Sequence, residues 1–453
     1  MTTARQLFGT DGVRGVANVE PMTPDTVQRL GQALAQRCRS ARARPRIVIG
    51  RDTRLSGDML EAALTAGITS MGVDVLLAGV LPTPAVAFLT RTLPADAGVV
   101  VSASHNPFQD NGIKFFAANG FKLPDDVEHS IEQLVLHGGT AAPRPTAADI
   151  GRGVRLDDAA ERYQRFVSGV VPRGRRLDGL RVVLDCAHGA AHRVGPGVFE
   201  ALGAVVETIG VEPNGTNIND DCGAVHPQRL QAAVRATHAQ LGVALDGDAD
   251  RAILVDESGD IVDGDEMLAM FAADMLARGI LHGSTVVATV MSNLGLEISL
   301  RERGARLVRA AVGDRYVVEA MQRGGYNLGG EQSGHLILLD QSTTGDGLIA
   351  GLTVASLMVA QQRPLGELKR VMSKLPQVLL NVRVARRQDL DTIPVVRETI
   401  EGVRAALNER GRVLVRYSGT EPLVRVMVEG EDAAQIALYA QHIVAAIQSH
   451  LAA

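Results

Sequence analysis

Residues 98–116 read GVVVSASHNPFQDNGIKFF. Three consecutive valines precede a polar segment and two phenylalanines follow it, which predicts a strand, a loop and a second strand. Ser, His and Asn at the end of a buried strand are poor core residues, so we expect the loop to project these side chains into a cleft. Ser104 is therefore the candidate nucleophile, with His105 as a candidate catalytic group beside it. Taken alone, the segment also fits an ordinary turn, because Ser, Asn and Pro are turn formers.

The composition narrows the class of protein. With 453 residues, of which 46% are hydrophobic and 21% charged, the chain is too long for a single core, so several globular domains are expected. A net charge of -5 argues against a nucleic-acid or membrane-surface partner and leaves small anionic metabolites open. Trp is absent and aromatic residues make up 3%, which argues against a stacking platform for polysaccharides. Any sugar ligand is expected to be a monosaccharide.

Cysteine usage and hydropathy predict the compartment. Cys38, Cys186 and Cys222 share no CxxC spacing, which is typical of a reducing environment without a disulfide framework. The first residues lack the apolar core of a signal peptide, and the longest apolar run, residues 348–360, is too short to span a bilayer. We expect a cytoplasmic protein.

The first part of the chain reads as a β-α-β unit. Thr23 followed by Pro24 marks the start of a helix, and residues 47–50 read as a short buried strand. Ser56 is expected to cap the next helix, and residues 73–77 return as a strand. This order of elements favours a parallel arrangement of the strands.

Similar units recur at residues 182–210 and 286–308. The segment GITSMGVDVLLAG in the first unit aligns with VFEALGAVVETIG in the second, with the helix-ending glycine in the same register. The pattern changes after residue 375 to strand, helix, strand pair and helix. We therefore predict an α/β protein with three related α/β domains and a smaller α+β C-terminal domain. The domain bounds are 1–153, 154–256, 257–373 and 374–453.

Asp246, Asp248 and Asp250 follow a buried strand at alternate positions. Carboxylates this close repel one another, and a hard divalent cation is the usual remedy, so a Mg²⁺ site is predicted. An EF-hand is rejected because Arg251 stands where that loop needs glycine and residues 252–255 read as a strand. A solvated acidic turn is the other alternative.

Two further segments have the chemistry of a sugar phosphate site. Residues 329–335, GGEQSGH, follow a predicted strand at 326–328 and offer an acceptor, a hydroxyl and a titratable ring for sugar hydroxyls; a bulged hairpin is the alternative. Residues 416–422, RYSGTEP, with Arg425 close behind, place two arginines around a Ser-Gly-Thr turn that suits a phosphate.

Two other segments carry weaker signals of a binding site, and each has a plainer structural interpretation. Residues 8–15, FGTDGVRG, put Arg14 on a glycine-rich loop that could approach a phosphate, or form a flexible surface turn. Cys186, His188 and His192 have a spacing that suggests zinc, but no fourth ligand is evident nearby, so structural packing is favoured.

The motifs SASHNP, DGDADR, GEQSGH and RYSGTEP occur in this order, and with them the chain resembles the α-D-phosphohexomutases across its whole length. The resemblance implies four domains around a central cleft, each contributing one motif. The three α/β domains would have mixed sheets. FGTDGVRG and Gln332 point to the branch that acts on glucosamine phosphates. One departure is the segment 312–315, VGDR, where several relatives carry His or Lys after the Val-Gly pair.

The resemblance also implies roles for individual residues. Ser104 would carry the phosphoryl group and join the metal ligands Asp246, Asp248 and Asp250. Sugar hydroxyls would be met by Glu331 and Ser333. The phosphate clamp would consist of Arg416, Ser418, Gly419, Thr420 and Arg425. Charged positions of the cleft are matched by Arg14, Lys114, Arg251 and His335.

The activity implied is interconversion of glucosamine 6-phosphate and glucosamine 1-phosphate, feeding UDP-N-acetylglucosamine and cell-wall synthesis. It would proceed through phosphoserine 104 and bound glucosamine 1,6-bisphosphate, with one Mg²⁺ per site and Lys114 or His335 as general acid or base. The alternatives are a mutase for glucose or mannose phosphates and, outside the enzymes, a silent sugar-phosphate-binding protein. We expect a small-molecule hexosamine phosphate as partner, no nucleic acid, no membrane, and a possible homodimer.

Overall fold

The structure is a computed structural model that describes residues 6–9, 11–39, 44–137, 143–418 and 423–451. These residues form two compact units. The larger unit contains the described chain up to Met291 and residues 307–371; the smaller contains residues 292–306 and the described chain from Met372 onward. Within the described ranges, no helix has the length and apolar character needed to cross a bilayer.

The first sheet of the larger unit has six strands in the order β1-β5-β4-β2-β3-β6. They are β1 (Val13–Val16), β2 (Arg46–Arg51), β3 (Asp74–Val80), β4 (Ala97–Val101), β5 (Asp110–Ala117) and β6 (Gly153–Arg155). Its helices are α1 (Pro24–Cys38), α2 (Gly57–Thr69), α3 (Thr83–Thr92) and α4 (Asp125–Leu136). The central strands run parallel, while β5 is antiparallel to both β1 and β4. The sheet is therefore mixed, as predicted.

The second sheet has the order β11-β10-β9-β7-β8. Its strands are β7 (Arg181–Asp185), β8 (Val205–Ile209), β9 (Leu241–Leu245), β10 (Ala252–Asp256) and β11 (Ile261–Val262), with the helices α5 (Ala159–Ser168), α6 (Val194–Glu200) and α7 (Gln228–Thr237). Strands β7 to β9 are parallel, and β9 turns back antiparallel into β10. All five residues of β9 and of β10 are buried, so the loop joining these strands leaves the middle of the sheet.

The third sheet has the order β13-β12-β14-β15. The elements of this part of the chain are α8 (Gly264–Ala277), β12 (Thr285–Thr289), α9 (Leu294–Glu302), β13 (Arg306–Ala310), α10 (Asp314–Gly324), β14 (Leu328–Gly330), β15 (Leu336–Leu338), α11 (Gly347–Gln361) and α12 (Leu365–Leu368). Helix α9 belongs to the smaller unit. The pairing of β12 with β14 is parallel, and that of β14 with β15 is antiparallel.

The smaller unit is built on an antiparallel sheet with the order β16-β18-β17. Its strands are β16 (Gln377–Arg383), β17 (Gly411–Tyr417) and β18 (Leu423–Gly430), and its longer helices are α13 (Pro394–Leu407) and α14 (Ala433–Leu451). One face of the sheet packs with both helices around Val426, Val428 and Ile443. Three mixed α/β sheets and one small antiparallel sheet confirm the predicted fold class.

Several local predictions are confirmed and three are wrong. Helix α1 begins at Pro24, and the Thr23 hydroxyl accepts a hydrogen bond from the Thr26 amide at 3.3 Å. Ser56 does not cap α2; it has helical backbone angles, and its hydroxyl accepts from Asn111 at 2.8 Å instead. Arg14 lies in strand β1, not on a loop, and the strand predicted at 326–328 begins two residues later and runs to Gly330.

Candidate active site

The loop between β4 and β5 presents Ser104 in a left-handed conformation, with φ of 55°. For a residue other than glycine this conformation costs on the order of 1–2 kcal/mol, so the surroundings must hold it. The Ser104 amide donates to Ser102 Oγ at 2.9 Å, and Ser104 Oγ donates to Asp246 Oδ2 at 2.5 Å. The candidate nucleophile is therefore buried and directed at the acidic loop after β9.

The acidic loop places Asp246, Asp248 and Asp250 with carboxylate oxygens all within 4.8 Å of one another. Among the described residues this is the one such group of His, Cys, Asp or Glu side chains. Burial, together with the charges of Asp250 and Asp248, raises the pKa of Asp246 well above its usual value. Asp248 Oδ1 and Asp250 Oδ1 are buried without a hydrogen-bond partner. Two orphaned oxygens and a hard, all-oxygen donor set fit a divalent cation such as Mg²⁺.

Lys114 reaches the acidic loop from β5. Side chains alternate along a strand. Ile113 and Phe115 therefore pack in the hydrophobic core between the first sheet and its helices, while Lys114 points to the opposite face of the sheet. Its Nζ lies 2.7 Å from Asp248 Oδ2 and 3.2 Å from both Asp250 Oδ2 and Asp11 Oδ2. Burial opposes its charge, but these three carboxylates outweigh burial and raise the pKa of Lys114 well above its usual value. Lys114 therefore holds its proton at neutral pH.

His105 lies beside the candidate nucleophile and differs from Lys114 in its protonation state. Its Nδ1 lies 3.4 Å from Ser104 Oγ. Burial, followed by the charges of Arg251 and Arg14, lowers the pKa of His105 to about 4. The imidazole is therefore neutral at neutral pH and can accept a proton or a hydrogen bond there.

A second charge cluster was missed by the sequence reasoning. Lys122 joins Asp11, at the start of the chain, to Asp314, at the start of α10, with Nζ 2.5 Å from Asp314 Oδ2. The same Asp314 oxygen lies 3.4 Å from Nε2 of His335, whose ring is buried. Burial opposes ionisation of Asp314, but the charge of Lys122, the foremost of its neighbours, outweighs burial and lowers the pKa of Asp314. Only the unusual VGDR segment pointed to this residue in the sequence.

Some of these groups line a cavity of about 460 Å³, while Ser104, His105, Lys114, Asp246 and Asp248 are not among its lining residues. Its lining consists of Leu7, Gly9, Asp11, Gly12, Arg14, Asp250, Arg251, Val312, Gly313, Asp314, Glu331 and His335. The structure thus brings together five predicted site residues from three sheets, namely Arg14, Asp250, Arg251, Glu331 and His335. Ser333 is exposed and does not line the cavity. A larger depression of about 630 Å³ at His192 and Pro213 holds none of the predicted site residues, so size alone does not mark the site.

The sugar loop after β14 is fixed by its backbone. The Glu331 amide donates to the His335 carbonyl at 3.0 Å, and Glu331 Oε1 accepts from the Gly313 amide at 3.1 Å. Gly334 has φ of 90°, and a Cβ there would lie 2.0 Å from the carbonyl oxygen of Ala252, so the tight turn requires glycine. The turn holds both Glu331 and His335 at the cavity.

In the smaller unit, Arg416 of β17 and Arg425 of β18 face each other as a register pair. Burial and the neighbouring charge of Arg425 lower the pKa of Arg416. Two guanidinium groups side by side favour an anion between them, because the anion offsets their repulsion. The Ser418 amide donates to the Leu423 carbonyl at 2.8 Å. Gly419 and Thr420 lie outside the described residues.

Family models for phosphoglucomutase/phosphomannomutase match four successive stretches of the chain. They are α/β/α domain I at residues 5–141, domain II at 161–259, domain III at 263–375 and the C-terminal domain at 379–446. The phosphoglucosamine mutase of Geotalea daltonii is 56% identical over 447 residues, covering 99% of this chain and 98% of that protein. The chain belongs to the phosphohexomutase family.

Solved structures agree with this assignment. A phosphoglucomutase/phosphomannomutase family protein from Burkholderia thailandensis is 25% identical and matches with a TM-score of 0.81 over 97% of each chain. The Aspergillus fumigatus N-acetylphosphoglucosamine mutase, solved with GlcNAc-6P and magnesium, is 18% identical, with a TM-score of 0.69 over 98% of this chain and 96% of that one. The phosphohexomutase fold therefore extends over the full length.

In this phosphohexomutase the residues of the EF-hand and zinc alternatives have other surroundings. Glu257, which an EF-hand would need as its last ligand, accepts instead from the Gly366 amide at 3.1 Å. His188 Nδ1 accepts from the Glu212 amide at 3.2 Å, His192 Nδ1 lies 3.0 Å from the Gly189 carbonyl, and Cys186 is a free, buried thiol. Among the described residues these three belong to no group of metal-ligating side chains.

Proposed function

We propose that this phosphohexomutase is a phosphoglucosamine mutase, an isomerase that interconverts glucosamine 6-phosphate and glucosamine 1-phosphate. The observation that carries the proposal is the 2.5 Å hydrogen bond from Ser104 Oγ to Asp246 within a buried carboxylate triad. A serine so placed can carry a phosphoryl group beside a cation site. Full-length relatives 55–58% identical and named phosphoglucosamine mutase support the choice of branch.

We propose that phosphoserine 104 donates its phosphoryl group to the free hydroxyl of the substrate. The bond from Ser104 Oγ to phosphorus breaks as the sugar oxygen bonds to phosphorus, which gives bound glucosamine 1,6-bisphosphate. The sugar then turns end for end, and Ser104 Oγ takes back the other phosphoryl group. Asp246, Asp248 and Asp250 would hold Mg²⁺, which supplies charge neutralisation at the transferring phosphoryl group when bound.

The two proton-transfer candidates differ in state. Lys114 is protonated and fixed by three carboxylates, which suits a donor that neutralises the serine oxygen as it leaves. His335 lines the cavity with both ring nitrogens buried and without a hydrogen-bond partner, which suits acceptance of a proton from the attacking sugar hydroxyl. We propose this division of roles, with Arg14 and Arg251 contacting the phosphate that reacts and neutral His105 accepting a hydrogen bond beside Ser104.

The substrate branch depends on the amino group at C2. The cavity offers two carboxylates outside the metal triad and the opening segment, Glu331 and Asp314. We propose that Glu331 meets the ring hydroxyls that all hexoses share, while Asp314 faces the C2 ammonium. One charge-assisted hydrogen bond contributes on the order of 1.5 to 3 kcal/mol, so glucosamine is favoured by roughly 10- to 150-fold and slow activity on glucose phosphate remains.

We also propose a phosphate clamp, a further sugar contact, four domains and a cytoplasmic location. Arg416, Ser418, Gly419, Thr420 and Arg425 would bind the phosphate that is not reacting, and Ser333 a sugar hydroxyl. Four domains are proposed at 1–153, 154–256, 257–373 and 374–453; strand β6 spans the first boundary and pairs with β3. A cytoplasmic location is supported by three free, buried cysteines. The homodimer stays a prediction.

The proposal is tested by assaying the purified protein with Mg²⁺ on glucosamine 1-phosphate, glucose 1-phosphate and mannose 1-phosphate. The highest kcat/KM is expected for glucosamine 1-phosphate. A higher value for glucose or mannose phosphate would contradict the phosphoglucosamine assignment and leave a phosphoglucomutase or phosphomannomutase. Absence of turnover on all three would favour a sugar-phosphate-binding protein.

A further inference from the structure

Arg54, just after β2, holds the loop that carries Ser104 from behind, although neither sequence motif nor mechanism uses it. Its side chain is fully buried, and its Nε donates to Asp52 Oδ2 at 2.8 Å. The terminal nitrogens donate to four main-chain carbonyl oxygens of the loop and the start of β5: Ser104 at 2.9 Å, Asn106 at 2.8 Å, Asp110 at 3.0 Å, and Pro107. One side chain thus fixes the main chain from the nucleophile onward.

Asp52 extends this hold to the segment before the nucleophile. Its Oδ2 accepts from Ser102 Oγ at 2.7 Å, and Ser102 Oγ in turn accepts from the Ser104 amide. The amide and the carbonyl of Ser104 are therefore both tied, through separate bonds, to the Asp52–Arg54 pair. Rotation of Ser104 out of its left-handed conformation would have to break at least one of these bonds.

Asn219, which follows β8 of the second sheet, also contacts the loop that carries Ser104. Its Nδ2 donates to the carbonyl oxygens of Ser104 at 2.9 Å and Asn106 at 3.2 Å. Gly247 of the acidic loop approaches the same point, since a Cβ there would lie 2.6 Å from the Ser104 carbonyl oxygen. The Ser104 peptide is thus held between Arg54 on one side and Asn219 on the other.

We propose that Arg54 and Asn219 are positioning residues for phosphoryl transfer, which fix the left-handed backbone of Ser104 and thereby direct its Oγ toward Asp246. A serine left to itself prefers the right-handed or extended regions, and a change of φ to either swings the Cα–Cβ bond away from the acidic loop. Phosphoryl transfer depends on alignment of the reacting atoms, so the loss of either side chain acts on turnover more than on substrate binding. The inference rests on the proposed phosphoserine chemistry.

The test uses the full chain with two variants that weaken the hold from opposite sides, Arg54→Lys and Asn219→Ala. Lys retains the charge but cannot reach four carbonyl oxygens, while Ala removes both bonds of Asn219. We expect kcat to fall about 10- to 100-fold in each, with KM changed less than about threefold, because misplacement of a reacting atom by about 1 Å costs this much. Rephosphorylation of Ser104 by glucose 1,6-bisphosphate, followed by intact mass, should slow by the same factor.

Asn327→Ala is the matched control. Asn327 is equally buried and makes three hydrogen bonds, to Ile280, Asp340 and His282, away from the Ser104 loop. It should lower the melting temperature as much as Asn219→Ala while kcat stays within about twofold, since it does not contact the loop. Wild-type kcat in both positioning variants, a rise in KM alone, or an equal loss of kcat in the control would overturn the inference. A wild-type protein without phosphate on Ser104 would instead overturn the proposed function.

Discussion

Ser104 combines a left-handed backbone, near-complete burial and a hydrogen bond to an acidic loop that belongs to another sheet. Each property is costly by itself, because the backbone is strained and the hydroxyl is removed from water. Their coincidence at one residue indicates that the position serves chemistry more than stability. A turn with no function would have relaxed to an ordinary conformation.

The first prediction concerns this serine. Peptide mapping of active protein should find a phosphoryl group on Ser104. Ser104→Ala should abolish turnover, because no other hydroxyl donates to Asp246 Oδ2 among the described residues, while the fold is retained. Full activity of the variant without added bisphosphate would contradict the phosphoserine assignment. Ser102 is no suitable replacement, since its hydroxyl is already engaged with Asp52.

The second prediction concerns the acidic triad. Asp248→Asn replaces a negative ligand by a neutral one and should lose most turnover, about 100-fold or more, with the fold retained. Asp256→Asn is the matched control, because Asp256 lies at the other end of β10, equally buried and paired with Lys369 at 2.6 Å. The control should affect stability and leave kcat unchanged. Unchanged activity of Asp248→Asn, or of wild type in excess chelator, would exclude a catalytic Mg²⁺.

The third prediction concerns substrate preference. Asp314→Asn removes the charge proposed to face the C2 ammonium and should lower kcat/KM for glucosamine 1-phosphate by about 10- to 100-fold. Glucose 1-phosphate serves as the internal control, and its kcat/KM should change less than about threefold. Equal losses on both substrates would show that Asp314 acts only through Lys122 and His335, which it contacts.

At the scale of elements, strands end at the site and helices begin there. Strands β4, β9 and β14 run into the Ser104 loop, the acidic loop and the sugar loop, and α10 begins with Asp314. Helix α11 begins close to the same place, since the Gly347 amide donates to the carbonyl of Ala249 in the acidic loop at 3.0 Å. The capping residue of α11 therefore fixes a helix that contacts the acidic loop.

That capping residue is Asp346, and the fourth prediction is a pH dependence. Its Oδ1 accepts from the Leu348 and Ile349 amides, and its Oδ2 accepts from the Tyr163 hydroxyl at 2.8 Å. Burial raises the pKa of Asp346 to about 6, which the helix amides and Tyr163 only partly offset. The folded protein thus retains a proton that the unfolded chain, with an ordinary pKa near 4, loses between about pH 4 and 6.

Because the folded protein must lose this proton at a higher pH than the unfolded chain, the free energy of unfolding falls as pH rises from about 4 to 6. The loss of stability caused by the Asp346 carboxyl is complete above pH 6. The pKa difference corresponds to about 3 kcal/mol. Asp346→Asn is neutral at every pH and should lack this dependence. Unfolding of both proteins is compared at pH 4.5 and pH 7.5, where the variant should gain relative to wild type at the higher pH. A constant difference between them would contradict the raised pKa.

At the scale of the whole molecule, the larger unit contains Ser104, the acidic loop and the loop after β14, while the smaller unit contains Arg416 and Arg425. Binding energy gained by a part of the substrate far from the reacting bond contributes to orientation of that bond. If the arginine pair binds the non-reacting phosphate as proposed, its loss should therefore influence turnover.

The fifth prediction follows from this division. Arg425→Ala should raise KM and lower kcat together, each by about tenfold, because the variant lacks the guanidinium group proposed to bind the non-reacting phosphate. Arg410→Ala is the control: Arg410 is an exposed arginine of the same unit just before β17. Added inorganic phosphite or phosphate should inhibit the control more strongly than Arg425→Ala. If both kinetic constants of Arg425→Ala equal those of wild type, the arginine pair serves the fold alone.

The sequence by itself determined the family, the fold class and several residues of the candidate site, because those depend on local patterns. Apolar runs predict strands, the glycine after each helix predicts its end, and Ser104 and the three aspartates follow strands at fixed spacing. Each of these signals lies within about 20 residues and needs no partner from elsewhere. Arg14 and Ser56 were misjudged locally because their actual partners, Gly112 and Asn111, lie on β5, far along the chain.

Only the tertiary structure decided which polar and charged side chains meet their distant partners. Lys122 contacts Asp314 from 192 residues away, Lys114 contacts Asp248 from 134 residues away, and Asn219 contacts Ser104 from 115 residues away. A lysine or asparagine in a sequence carries no sign of a distant partner, since most such side chains are solvated. Packing of the sheets buries these particular residues together, and burial makes each pairing strong enough to set a backbone conformation or a pKa.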